Sequence, residues 1–116
     1  VPRDVALALA AAVAAMVAGA CTRDLALFGR AIDDRIAEPA RAPMLPGFAD
    51  AKQAALRAGA LGCSISGSGP TMFAVVGDPE TAERVARATV RAYRRAGHDA
   101  DTRICRPDPT GARIQR

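Results

Sequence analysis

From Val5 to Ala20 the bulky apolar residues Val5, Leu9, Val13, Met16 (with Val17) and Ala20 return at helical spacing. That pattern predicts a helix over residues 3–20 with one buried stripe. Thr22 is placed to cap a second helix, whose Leu25, Phe28, Ile32 and Ile36 recur at intervals of three, four and four. Pro39 should stop that helix, because proline lacks a donor N–H and disfavours helix at the residue before it. A proline-punctuated connection, RAPMLPGF, follows, and residues 47–58 read as a third helix ended by Gly59. The period then shortens to two. Leu61, Cys63 and Ile65 share one face of a strand, and Met72, Ala74 and Val76 share one face of the next. Asp78-Pro79-Glu80 opens another helix, with Asp as cap and Pro at the first helical position. It runs to about Ala96 with Ala82, Val85, Ala86, Thr89 and Tyr93 turned inward, and Gly97 ends it. A third strand over 101–106 and a fourth over 111–115 flank the turn PDPTG. This order predicts an α+β fold in which helices cover one face of a four-stranded, mainly antiparallel sheet of ferredoxin-like character.

A chain of 116 residues suits one domain, residues 1–116, and is too short for two. Half the residues are hydrophobic but only three Phe and one Tyr are aromatic, so alanine and valine must fill much of the core. The net charge is +4, carried mostly by arginine. That excess suits anionic small molecules or phosphates, and no arginine run with interleaved aromatics marks a nucleic-acid binder. Cys21, Cys63 and Cys105 follow neither a metal-ligand nor a disulfide spacing, which fits a reducing cytoplasm. Cys63 reads as a small apolar strand residue rather than a nucleophile, since the single histidine, His98, is distant in sequence. The opening VALALAAAVAAMVAGAC imitates a signal-peptide core with a lipoprotein cleavage box. Against that, there is no initiator Met, Asp4 offsets Arg3, and the run from Val5 to Ala20 falls short of the about 20 apolar residues of a membrane span. The expectation is a buried core helix and no membrane; an exported lipoprotein beginning at Cys21 is the distant alternative.

Four clusters could carry chemistry. Arg84, Arg87, Arg91 and Arg94, widened by Arg95, form a helical stripe, but Glu80 and Glu83 lie one turn before Arg84 and Arg87 and mark a solvated face. His98, Asp99 and Asp101 lie between a helix stop and a strand start and read as a turn, with no further metal ligands at a recognisable spacing. In DDRIAEPAR, Asp34 and Glu38 fall one helical turn apart ahead of Arg41. Such carboxylates could hold an arginine whose guanidinium faces a ligand carboxylate or phosphate; a compensated helix end is the equal alternative. Finally, SGSGPT, residues 66–71, is longer than a hairpin needs. Gly67 and Gly69 permit an anion-binding nest, yet the loop is neither a Walker loop, a serine-hydrolase elbow nor a dinucleotide fingerprint.

Taken together, IAEPAR, LPGF, GALGCSISGSGPTMFAVV and ICRPDPTGARI, in this order, closely resemble the C-terminal half of bacterial homoserine kinases, within the GHMP kinase family. The resemblance runs from about Asp4 to the end and is most specific over 34–76 and 104–114. It implies an α+β sandwich whose Ser66, Gly67, Ser68, Gly69 and Thr71 lie beside the nucleotide phosphate loop of another domain. It also implies that Arg41 grips the α-carboxylate of L-homoserine, with Asp34 and Glu38 orienting it, and that no residue of this chain is itself catalytic. The implied reaction moves the γ-phosphate of ATP onto the homoserine side-chain hydroxyl, giving O-phospho-L-homoserine in threonine biosynthesis. ATP and Mg²⁺ would be bound mainly by an N-terminal domain carrying a Pro-x-x-x-Gly-Leu-Gly-Ser-Ser loop, which this sequence does not contain. The chain is thus expected to be one part of a kinase, inactive alone, with that domain as its partner and a homodimer allowed for. Its first helix, nearly all Ala, Val and Leu, departs from the polar residues common there. The alternatives are another GHMP kinase with a different alcohol, or a non-catalytic module that binds a small molecule or a partner chain.

Overall fold

The computed structural model describes residues 1–115. Helix α1 (Arg3–Thr22) is followed by α2 (Leu25–Arg30), α3 (Ala37–Arg41) and a 3-10 turn at Ala42–Met44. Then come α4 (Phe48–Arg57), β1 (Gly62–Ile65), β2 (Met72–Val75) and α5 (Pro79–Arg95). The strands pair antiparallel with Gly62 opposite Val75 and Ile65 opposite Met72.

The core forms where α4 and α5 cover one face of this hairpin. Ala55, Ala60, Cys63 and Val85 make a buried cluster, and Met72, Ala74 and Val76 pack against it half-buried. Phe48, 2% exposed, is the largest side chain in the interior. Small residues elsewhere let α4 and α5 approach closely, as the alanine-rich composition requires. Asp78 starts α5 by accepting the Thr81 N–H and hydroxyl, each at 2.8 Å, and Pro79 follows at the first helical position. Thr81, Ala82, Val85, Thr89 and Ala92 then face inward. The arginines line the outer face, with Arg84–Glu80 at 3.5 Å and Arg87–Glu83 at 3.7 Å. Exposed pairs of this kind contribute little to stability.

The opposite face of β1 is covered too, which differs from the one-sided arrangement expected. There the end of α2 lies directly on the strand. A Cβ on Gly62 would collide with the Gly29 carbonyl, and one on Gly29 would meet the Leu61 backbone at 2.6 Å. Two glycines placed back to back therefore set the distance between α2 and β1.

Residues 22–41 follow a different course from the single helix predicted. The Thr22 hydroxyl donates back to the Ala18 carbonyl at 2.7 Å, so Thr22 belongs to α1 and Asp24 caps α2 by accepting the Leu27 N–H at 2.9 Å. Helix α2 stops at Arg30. The Asp34 carboxylate takes the Ile36 and Ala37 N–H groups at 2.9 and 2.8 Å, a side-chain turn that competes with continued helix and starts α3 instead. Pro39 falls in the first turn of α3, where its missing N–H leaves no bond unmade.

Two further expectations change. Among the described residues the sheet has two strands, not four, and residues 101–106 and 111–115 adopt no strand. In DTRICR the only apolar residues, Ile104 and Cys105, are adjacent and would point to opposite faces of a strand, so pairing would bury little. Residues 98–105 run past the hairpin, leaving a groove of about 1000 Å³ against α5 and the Met72–Val76 face. Helix α1 is not the buried core helix predicted, for only Gly19 is buried and Leu7, Val13 and Val17 are exposed. It packs on the six-residue α2, too short to cover it. By length and composition α1 is also long and apolar enough to cross a membrane, contrary to the short apolar run expected. The exposed helix and tail raise the radius of gyration to 15.1 Å, against about 13 Å for a compact domain of this length.

Two outcomes are expected. Gly62→Ala destabilises the protein by roughly 2–3 kcal/mol, because backbone rather than a flexible side chain blocks the added methyl. Gly77→Ala, whose Cβ would meet nothing nearer than Leu25 at 3.7 Å, should stay within about 0.5 kcal/mol; urea unfolding compares them. The second concerns acid. Bonds from the Thr81 backbone and hydroxyl hold the Asp78 carboxyl below its ordinary 3.8. Its stabilisation is therefore complete above that value and is lost as pH falls through the lowered pKa. The Tm gap between the wild type and Asp78→Ala should be full at neutral pH and narrow at the most acidic end of a pH series.

Candidate functional site

The loop joining β1 to β2 is closed at its base by Ser66 N–H donating to the Thr71 carbonyl at 2.8 Å. Inside, Gly69 N–H donates to the Ser66 carbonyl at 3.1 Å. Gly67 and Gly69 have φ of 60° and 81°, conformations that side chains rarely adopt. The Gly69–Pro70 peptide is cis. Gly69 also lies on Leu45, where a Cβ would come within 2.8 Å of the leucine methyl. Ser66, Gly67, Ser68 and Thr71 are exposed, and the Gly67 and Ser68 N–H groups have no acceptor among the described residues. Two neighbouring amides are thus open to solvent at the loop tip.

Arg41 reaches this loop from α3. Its Nη1 lies 3.4 Å from the Ser68 carbonyl oxygen, a weak hydrogen bond across 27 residues of sequence. The guanidinium is otherwise exposed and is paired with no carboxylate among the described residues. Arginine and open amides therefore border one patch of surface, with donors that no carboxylate among the described residues engages. Such a patch suits a ligand carrying carboxylate or phosphate.

The two acidic residues are not where spacing suggested. Asp34 lies ahead of α3, not on a shared helical face with Glu38, and its carboxylate is committed to the Ile36 and Ala37 amides. Glu38 makes no bond to Arg41. It accepts from Lys52 Nζ of α4 and, at 2.6 Å, from the Ser64 hydroxyl of β1. Neither carboxylate orients Arg41 by direct contact. The pattern in DDRIAEPAR is that of a capped, anchored short helix, because a nearby amide or ammonium competes for each carboxylate more effectively than an exposed guanidinium does.

Lys52 and Ser64 escaped the sequence reading. A signal was present: Ser64 interrupts the apolar run of a strand, and a buried hydroxyl needs a partner. Lys52 is also the single lysine of the chain, on the otherwise alanine-rich face of α4. Cys63, by contrast, behaves as a core residue. Burial pushes its thiol up to about 11, although the nearby Lys52 charge works the other way.

The fold and site define a class. Residues 9–95 match the family GHMP kinases C terminal, and the chain belongs to that family. The match begins at residue 9 and takes in the Ala-Gly-Ala-Cys stretch that resembled a cleavage box, so most of α1 lies within the matched range.

Within that family the chain is similar to homoserine kinases. It is 56% identical over 81 residues to a homoserine kinase of Chlorobium phaeobacteroides, covering 70% of this chain and 25% of that protein. It is 49% identical over 104 residues to one of Chlorobaculum tepidum, covering 88% and 32%. The crystal structure of a homoserine kinase from Cytophaga hutchinsonii superposes with a TM-score of 0.80 at 44% identity, over 82% of this chain and 30% of that one. The chain thus spans between a quarter and a third of the length of these relatives, and corresponds to their C-terminal region.

The thiols offer a direct check on the site's packing. In the native protein at pH 7, Cys21 and Cys105, both exposed, should react readily with a disulfide reagent such as DTNB while Cys63 stays protected. All three should react in denaturant. Rapid native labelling of Cys63 would mean that the Cys63–Lys52–Glu38 region is open.

Proposed function

We propose that this chain, in its complete protein, is the substrate-positioning part of an ATP-dependent homoserine kinase. The observation that carries the reading is the contact between Arg41 and the Ser66–Thr71 loop. It brings together two of the four motifs on which the likeness to homoserine kinases rests, IAEPAR and the glycine loop, and the names of the relatives agree with it. In this reading the Arg41 guanidinium holds the α-carboxylate of L-homoserine, in a geometry that two parallel N–H donors match well. The Gly67 and Ser68 amides form a wall of the phosphate site. The γ-phosphate of ATP moves to the side-chain hydroxyl, which loses its proton, and O-phospho-L-homoserine and ADP leave. Transfer of this kind depends mainly on positioning and on neutralising charge. This chain's share is to fix one end of the acceptor and to limit where the phosphate can lie.

ATP is held mainly by a further domain, and Mg²⁺ likewise. The family match supports ATP as the phosphate donor, and in this reading the metal travels with the nucleotide to that domain. On the same reading the product belongs to threonine biosynthesis, the protein works in the cytoplasm, and α1 packs against the rest of the enzyme rather than entering a membrane.

The test uses the protein expressed from its complete reading frame, assayed for ADP release with homoserine, mevalonate and galactose in parallel. Homoserine should be the preferred acceptor. Arg41→Ala should raise its KM by about 30- to 150-fold, equivalent to roughly 2–3 kcal/mol for a lost charged hydrogen-bonding partner. Preference for another alcohol, or an Arg41→Ala enzyme with homoserine KM and kcat intact, would overturn the assignment.

A further inference from the structure

The geometry points to Lys52 as a positioning residue for Arg41, acting through the carboxylate of Glu38. Helix α3 has only five residues and buries none of them. A helix that short has no stability of its own in water. The Asp34 turn shapes its start but lies on the same exposed segment. Beside the weak Arg41–Ser68 contact, what ties α3 to the body of the protein is the Glu38 side chain, 13% exposed, bonded on one oxygen by Lys52 of α4 and on the other by Ser64 of β1.

That arrangement has a directional consequence. Ser64 is on the strand that leads two residues later into the glycine loop, while Arg41 lies three residues beyond Glu38 on α3. One carboxylate therefore references both partners of the Arg41–Ser68 contact to the same point. Lys52, 23% exposed and anchored on a helix that buries Phe48, Ala51 and Ala55, supplies the fixed end. Without its charge, Glu38 would be left largely buried with an uncompensated carboxylate, which favours its release to water. Helix α3 would then be free to drift, and Arg41 with it. The guanidinium would keep its charge but lose its aim.

This rests on the reading that Arg41 grips the acceptor's carboxylate, and the experiment separates the two. In the complete enzyme, Lys52→Met, Arg41→Ala and the double variant are compared by homoserine KM, ATP KM, kcat and Tm. Lys52→Met should raise homoserine KM roughly tenfold with ATP KM little changed, the scale of a displaced positioning group. In the Arg41→Ala background the same substitution should add less than about twofold, because its effect passes through Arg41. Lys52→Arg, which keeps the charge, should restore most of the loss. If Lys52→Met fails to fold, Ser64→Ala takes its place, weakening the same carboxylate's hold while leaving the charges intact. A drop in Tm with homoserine KM unmoved, or an effect that multiplies in full with that of Arg41→Ala, overturns the proposal and leaves the role of Arg41 standing. An Arg41→Ala enzyme with unchanged homoserine KM overturns both.

Discussion

The close packing of α4 and α5 on one face of the β1–β2 hairpin is the constraint on which the rest of the chain depends. A two-stranded sheet has marginal stability by itself, and a helical layer makes it persist. Here that layer is built largely from alanines, so the helices approach the strands closely and the fit tolerates little change in shape. Once β1 is held on that side, its other face becomes a platform. The glycine at position 62 accepts the end of α2, and the serine at 64 reaches the acidic side chain of α3. The glycine loop is the natural extension of the same strand. Core packing thus sets the position of the site in a single step, through one short strand read from both faces.

The parts legible in the sequence were those governed by local signals. Helix α4, both strands and α5 lie within a residue or two of their expected places. Each is bracketed by a cap, a proline or a glycine whose effect is decided within one turn of chain. The segment from 22 to 41 was misread because two local signals competed there. Apolar spacing argued for one helix, while Asp34 offered the backbone a better bargain for its amides, and hydrogen bonding at short range prevailed. The third and fourth strands failed for a different reason. A strand exists only with a partner edge, and neither tail segment carries enough apolar area on one face to bind one.

The site divides in the same way. The loop could be picked out from its glycines and hydroxyls, and Arg41 from the likeness to a family. Their meeting in space could not be read from spacing, since they lie 27 positions apart with three elements between them. The ion pair and hydroxyl around Glu38 were hidden likewise, by separations of 14 and 26 positions. Two carboxylates four apart suggested a shared face, and only the fold shows that one caps a backbone and the other joins three elements. The single lysine at 52 and the hydroxyl at 64 carried that information in a form that becomes readable only when the partner is known.

The groove beside β2 has a practical meaning for the chain handled as a separate piece. One edge of the hairpin and part of its apolar face are left without cover by the tail that passes them, and α1 displays Leu7, Val13 and Val17 to solvent. An open strand edge is a template that any extended segment can pair with, including one from another molecule. For such a molecule, dilution is a condition of good behaviour: its colloidal life in solution will be shorter than the order of its interior would suggest.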